Sequence, residues 1–345
     1  MTYAASPARY DTMQYRRSGR SGLQLPAISL GLWQNFGGNR DHDTAAEILT
    51  YAFDAGITHF DLANNYGPPP GSSEELFGTV LAREFRPYRD EMIVSTKAGY
   101  RMWPGPYGEF GSRKYLMASL DQSLKRMGLD YVDIFYSHRP DPATPLEETM
   151  GALADIVRSG KALYVGISSY PEKETREAHR LLKEMGVACT IHQPSYSVIN
   201  RWIENDDTIG ACGELGVGII AFSPLTQGVL SGKYNTGSKQ GTRGENANGS
   251  LKSSHVAPNV LDAVGKLMPI AEARGQSMVQ LALSWVLRRK EVTSALIGVR
   301  NLEQLKDNLG ALDNLDFSED ELKAIDEATK DGQMDLRPLP QGWLR

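Results

Sequence analysis

Short, continuously apolar runs alternate with longer segments of helical spacing along most of this chain. The apolar runs are ITHFDLA, MIVSTKAG, YVDIFYSH, ALYVGISS, ACTIHQP, VGIIAFSP and SALIGV, with a first one near residues 27–30. Between them, TAAEILTYAFDAG, SSEELFGTVLARE, RKYLMASLDQSLKRMG, PLEETMGALADIVRSG and PEKETREAHRLLKEMG place apolar residues on one helical face. A Ser/Glu cap signal opens the second of these, a glycine ends the third and a proline starts the fourth. NDDTIGACGELG, VLDAVGKLMPIAEARG, MVQLALSWVLRRK and LEQLKDNLGAL continue the helices, and SEDELKAIDEATK adds one more at the C-terminal end. Strands that are apolar throughout are buried on both faces, which is the habit of parallel strands covered by helices. Eight repeats predict an α/β fold of the (β/α)8 TIM-barrel kind, with the barrel proper over about residues 27–312 of a single domain spanning 1–345.

Two further elements follow from local chemistry. MQYRRSGRSGLQLPAISLG predicts an N-terminal β-hairpin turning at Ser18-Gly19. The polar, Gly-rich stretch from Thr226 to about Pro258 predicts a long loop over the barrel mouth, after the seventh strand. The competing architecture, a doubly wound sheet, wants GxGxxG after its first strand, and the chain has none there. GELGVG precedes a strand, and GVLSGKY lacks the first Gly and the Ser/Thr of a phosphate loop.

Size and composition narrow the reading. A chain of 345 residues and 38.0 kDa suits a barrel of roughly 250 residues with insertions. A formal charge of −5 argues against nucleic acid as the main partner and leaves room for a local basic pocket. MTYAASPARYDTMQYRRSG has no apolar secretory core, and GVGIIAF, the longest apolar run, is too short to span a bilayer. A cytoplasmic protein is expected, with Cys189 and Cys212 as reduced, buried thiols rather than a disulfide. The six histidines show no metal-ligand spacing, so no metal is expected, and His59 reads as a strand residue.

The chemistry concentrates in Asp61, Tyr66, Lys97 and His138, read as lying where four different strands end. Alone, each has an ordinary structural role: a loop cap, a packed phenol, an ion pair, a satisfied ring. A parallel barrel gathers its strand ends at one mouth, and there the four form a proton-delivery device. Tyr is a weak acid with a pKa of about 10, and a neighbouring Lys97 ammonium lowers it; two units correspond to roughly 2.7 kcal/mol. Asp61 would hold Lys97 protonated, and His138 would orient a carbonyl or share the proton. A hydride must then come from a cofactor, since no side chain donates one.

The motifs FDLANNYGPPPGSSEELFG, GLWQNFGG and LIGVRNLEQLKDNL resemble those of the aldo-keto reductase superfamily, over nearly the whole chain. SHRPDPATPLEETM and FSPLTQGVLSGKY are similar to one branch of it. That branch contains the potassium-channel β-subunits and bacterial reductases of L-glyceraldehyde 3-phosphate and methylglyoxal. The resemblance implies a catalytic tetrad of Asp61, Tyr66, Lys97 and His138, with Tyr66 as general acid/base. It implies NADP(H) lying across the barrel mouth. Ser168 and Gln193 would hold the carboxamide and Phe222 would stack on the nicotinamide ring. Ser223, Leu225, Gly228, Ser231 and Lys233 would wrap the pyrophosphate. Arg300 suits a 2′-phosphate, and Gln304, Asp307 and Asn308 would meet the adenosine. Trp33, Asp61 and Gly298 complete the expected surroundings of the cofactor. Where many members have Ser-Asn, this chain has Ser168-Ser169, which weakens a role for Ser169.

Trp33, Tyr66 and Trp103 are expected to line an aromatic substrate pocket with His138, and Arg101 and Arg139 are candidate partners for a substrate phosphate. The leading function is NADPH-dependent reduction of a small aldehyde. Its rivals are a nicotinamide-binding redox-sensing subunit of a membrane channel and a sugar or alcohol dehydrogenase working oxidatively. The channel subunits carry Asn where this chain has His138, which favours turnover. The branch also implies a homotetramer or homo-octamer.

Overall fold

The computed structural model of the protein describes residues 3–236 and 251–337. A hairpin of β1 (Tyr15–Arg17) and β2 (Gln24–Pro26) precedes the barrel. Eight parallel strands then close on themselves: β3 (Ile28–Gly31), β4 (His59–Asp61), β5 (Ile93–Ala98), β6 (Val132–Ser137), β7 (Ala162–Ser168), β8 (Cys189–Gln193), β9 (Gly218–Phe222) and β10 (Val292–Ile297). Ring closure is made by β10, which pairs β9 on one side and β3 on the other, with Leu296 opposite both Phe222 and Ser29. The (β/α)8 expectation therefore holds, including the hairpin.

The helices α1 (His42–Asp54), α2 (Ser72–Val80), α3 (Arg113–Met127), α4 (Leu146–Arg158) and α5 (Glu172–Glu184) surround the first part of the ring. The rest is covered by α6 (Trp202–Asn205), α7 (Thr208–Leu215), α8 (Pro258–Ala273), α9 (Met278–Leu287), α10 (Leu302–Leu309) and α11 (Glu319–Thr329). Their apolar faces and the outward residues of the strands make one core, in which Phe60 packs on Phe77 and Phe85 at 5.7 and 5.9 Å.

Inside the ring the residues split by side. Ile134, Tyr136, Ile191, Ile220 and Leu296 form a separate apolar cluster, closed by Leu23 and Leu25 of the hairpin region. Ser18 fastens that hairpin to the barrel by donating to the Thr190 carbonyl at 3.0 Å. Ser29, His59, Ser95 and Ser294 face one another on the adjoining strands, all fully buried. Half of the barrel interior is thus apolar and half is polar, a division that matters for the site above it.

Three local expectations change. The Ser/Glu signal before α2 is not a cap: Ser72 and Ser73 donate to the carbonyls of Pro69 and Leu32 at 2.6 and 2.7 Å. Gly71 begins the helix instead, at φ +93°. NDDTIGACGELG does not form one helix: α6 ends at Asn205 and α7 begins only at Thr208, because Asp207 takes a left-handed conformation at φ 62°. The stretch after β9 begins as 3-10 turns at Thr226–Ser231 and Lys233–Thr236 rather than as open loop, and another spans Ser253–Val256. Residues 237–250 of the expected loop lie outside the described residues. Both cysteines are free and buried.

Gly166 of β7 marks a point of close packing in the interior. A Cβ there would stand 2.6 Å from the Tyr136 ring and 2.7 Å from the Ile191 carbonyl oxygen. Gly166→Ala should destabilise the fold by about 1–3 kcal/mol through overpacking, read from urea unfolding midpoints. An unchanged midpoint would mean that the interior yields at this level.

Candidate active site

Three strand ends, not four, supply the tetrad. Asp61 is the last residue of β4, Tyr66 lies five positions on in the loop that follows, Lys97 is in β5 and His138 follows β6. The four nevertheless converge. Lys97 Nζ donates to Asp61 Oδ2 at 2.5 Å and to the Leu62 carbonyl at 2.6 Å, with both side chains fully buried. The ammonium stands 4.9 Å from the centre of the Tyr66 ring. Tyr66 and His138 meet edge to face at 5.9 Å, and Trp33 lies 6.4 Å from Tyr66 on the other side.

Burial of this kind is costly for an ion pair unless every remaining lone pair is met. Asp61 Oδ1 accepts from Ser95 Oγ at 2.6 Å and from Gln193 Nε2 at 3.2 Å. The carboxylate is therefore held from β5 and β8. Burial lowers the Lys97 pKa, against the Asp61 charge and hydrogen bond and the Glu74 charge, which raise it. Tyr66 is pushed well above its usual value, by burial first and then by the Asp61 and Tyr100 charges. This reverses the expectation that Lys97 lowers it: in this cavity the phenol stays protonated. His138 is driven well below its usual range by burial and by the Lys97 and Arg139 cations, so its ring is neutral. Its Nδ1 is buried without a hydrogen-bond partner in the protein.

These residues border a cavity of about 1220 Å³. Trp33, Tyr66, His138, Ser168, Gln193, Phe222, Ser223, Leu225, Gly228, Ser231, Lys233, Gly298, Arg300, Gln304, Asp307 and Asn308 all line it. Asp61 and Lys97 lie beneath the lining. Ser168 Oγ donates to the Gln193 carbonyl at 2.7 Å, and Asp307 already accepts from Ser277 and Gln280 at 2.9 and 3.1 Å. The backbone N–H of Arg300 donates to Gln304 Oε1 at 2.9 Å, which fixes the end of the cavity where the arginine stands.

A dinucleotide fits this wall by its chemistry. The half-buried Phe222 ring offers an apolar plane beside Ser168 and Gln193. A Cβ built on Gly228 meets nothing within 4 Å, so the backbone is open to close approach there. The segment beside it is strained in one direction, with Ser223, Thr226 and Gln227 at φ 52°, 46° and 59°. Thr226 is held in that unfavourable region by full burial and by a 2.8 Å hydrogen bond to Ser197. The buried oxygens Asn65 Oδ1 and Ser169 Oγ also border the cavity without partners in the protein.

Two expected substrate residues lie elsewhere. Trp103 packs on Tyr115 at 5.0 Å and is not part of the lining, and Arg101 is exposed in the same loop. Arg139 is a structural strut. Its guanidinium sits over Tyr100 at 4.2 Å and Phe110 at 4.5 Å, donates to the Gly99 carbonyl at 3.0 Å and pairs with Glu109. The strut holds Tyr100, which packs edge-on against His138 at 4.7 Å and lines the cavity in the place expected of Trp103. Tyr100 stands three residues after Lys97, so the strand-end rule could have found it. Gln34 and Asn35 in GLWQNFGG were equally within reach of that rule. Leu336, which lines the cavity from the far end of the chain, carried no local signal.

Among the described residues there is no group of three or more His, Cys, Asp or Glu placed to hold a metal ion. Among them, too, no helix is long and apolar enough to cross a membrane.

Comparison with known proteins agrees with this geometry. Residues 27–330 match the model of the Aldo/keto reductase family. An L-glyceraldehyde 3-phosphate reductase of Escherichia coli (strain K12) is 56% identical over 340 residues, covering 97% of this chain and 98% of the relative. A probable voltage-gated potassium channel subunit beta of Arabidopsis thaliana is 34% identical over 307 residues, 87% of this chain and 92% of the relative. A putative one of Schizosaccharomyces pombe is 35% identical over 338 residues, 95% and 96% of the two. Family model, barrel and strand-end cluster agree: the chain belongs to the aldo/keto reductase family and is an oxidoreductase.

Proposed function

We propose that this protein is a cytoplasmic, NADPH-dependent reductase of small aldehydes, with L-glyceraldehyde 3-phosphate and methylglyoxal as substrates and Tyr66 as the proton donor. The observation that carries the reading is the phenol of Tyr66 beside the buried Lys97–Asp61 pair, facing His138 across the floor of the cavity. The similarity to the E. coli L-glyceraldehyde 3-phosphate reductase supports the substrate class. Reduced nicotinamide, when bound, supplies the hydride.

The chain's own residues do the rest. The Tyr66 O–H stays protonated because burial raises its pKa, so the group meets the carbonyl oxygen as an acid. Lys97, tied to Asp61, stabilises the phenolate left behind and returns the site to its starting charge when a proton comes back. Neutral His138 offers an N–H to the same oxygen without competing for the phenol's proton. Trp33 and Tyr100 close the sides and exclude water. A family-based homotetramer or homo-octamer belongs to the same reading, and light scattering on the purified protein measures it.

NADPH oxidation followed with a panel of small aldehydes tests the activity. Tyr66→Phe should lower kcat by roughly 10²–10⁴-fold with the fold intact. Tight NADPH binding with negligible turnover in both proteins would instead favour the channel-subunit role. Arg300→Ala should raise KM for NADPH roughly tenfold or more and leave NADH nearly unaffected, since charge-assisted bonds to a phosphate are worth about 1.5–3 kcal/mol. Equal efficiency of the wild type with both cofactors would sink the preference. With His138 already neutral, kcat/KM for reduction should cross pH 6.5 without an inflection. A titration of activity there would mean that the ring is charged in the working enzyme.

A further inference from the structure

The Asp61–Lys97 pair does not end the buried polar system; it is the upper end of a longer one. Four hydrogen bonds cross the polar half of the barrel interior. Ser294 Oγ of β10 lies 2.7 Å from Ser29 Oγ of β3. Ser29 Oγ lies 2.9 Å from His59 Nδ1 on β4. His59 Nε2 lies 2.9 Å from Ser95 Oγ on β5. Ser95 Oγ donates to Asp61 Oδ1 at 2.6 Å, back on β4. Every member is fully buried, so none of these groups can exchange its partner for bulk water.

The direction of the chain follows from its end. An ionised Asp61 only accepts, so Ser95 spends its one O–H on the carboxylate. Ser95 oxygen is then the acceptor for His59, and Nε2 must carry the hydrogen. Burial lowers the His59 pKa to about 4, leaving the ring neutral with a single N–H at working pH. Its Nδ1 is therefore bare and accepts from Ser29, whose own oxygen accepts from Ser294. One carboxylate at the mouth thus sets the orientation of three hydroxyls and a ring reaching across four adjacent strands. Each bond in such a chain polarises the next, so the last donor, Ser95, is strengthened by those behind it.

We propose that His59 is a positioning residue: as the neutral Nε2–H tautomer it joins Ser29 and Ser95 into a one-way hydrogen-bond chain that fixes the Asp61 carboxylate against Lys97. The proposal rests on the reductase reading for its kinetic consequence and, for the tautomer, on the hydrogen-bond geometry together with the neutral ring that burial enforces. Asp61 has three outside contacts, from Lys97, Ser95 and Gln193. With Ser95 held from behind, the pair keeps the ammonium beneath the Tyr66 ring. Apolar side chains could fill the same volume, as they do on the facing half of the barrel, but they would leave the Ser95 hydroxyl free to rotate off the carboxylate.

Two measurements decide it. Nitrogen NMR of the histidines in the unmodified full-length protein, with His59 assigned by substitution, should show His59 as Nε2–H at neutral pH. A protonated Nδ1 or a charged ring would overturn the chain. In steady-state kinetics, His59→Leu, which cuts the chain behind Ser95, should lower kcat roughly tenfold, with KM for aldehyde within about twofold and a larger solvent isotope effect as the proton step becomes limiting. His59→Gln, whose amide can donate to Ser95 and accept from Ser29, should recover most of the loss. Equal losses in both variants with an unchanged isotope effect would mean that the ring only packs and would overturn the proposal. Should His59→Leu fail to fold, Ser95→Ala read the same way decides the positioning step. Should the wild type lack turnover, the reductase reading fails and the tautomer result is untouched.

Discussion

The structure depends on a buried ion pair. Asp61 and Lys97 are fully enclosed, and two charges in such a place cost more in lost hydration than their attraction returns unless the surroundings complete their hydrogen bonds. The protein completes them from several directions, with Ser95, Gln193 and the Leu62 carbonyl. That demand explains why the pair stands inside a ring of parallel strands. Only there do strands around one closed ring deliver side chains to a single point, here from β4, β5 and β8.

The same enclosure sets the character of the phenol above. A cation nearby lowers the pKa of Tyr66 while burial and the Asp61 charge raise it, and in this cavity the second influence prevails. What remains is a protonated group beside a hidden reserve of positive charge, which is suited to giving up a proton only when a carbonyl oxygen gains electrons. Support reaches the site from the side as well: the Arg139 strut sets Tyr100, and Tyr100 sets His138.

Much of this was legible in the sequence because periodicity is a local property that buried strands and amphipathic helices cannot disguise. ITHFDLA and MIVSTKAG announced both their strands and the residues at the strand ends. The failures have physical causes. Ser72 and Ser73 look like a helix cap, but tertiary carbonyls claim their hydroxyls first. Tyr66 reads as a strand end of its own because loop and strand cannot be told apart by apolar content over five residues. Arg139 looked like an anion partner, yet Glu109 and two aromatic rings hold it. His59 was read correctly as a strand residue, but the serines that make it part of a chain come from strands far apart in sequence. Leu336 is further still: its N–H is anchored by Asn200 at 3.1 Å, a contact no local pattern encodes.

Ring closure between β3 and β10 carries a consequence for how the protein is made. Leu30 and Ile297 are register partners, so the first barrel strand leaves the ribosome long before its neighbour on one side exists. During that interval the growing chain carries an open, apolar sheet edge, the feature most prone to pairing with the wrong strand. The barrel can seal only when β10 has been made, so its first and last strands must find each other after the whole ring has been synthesised.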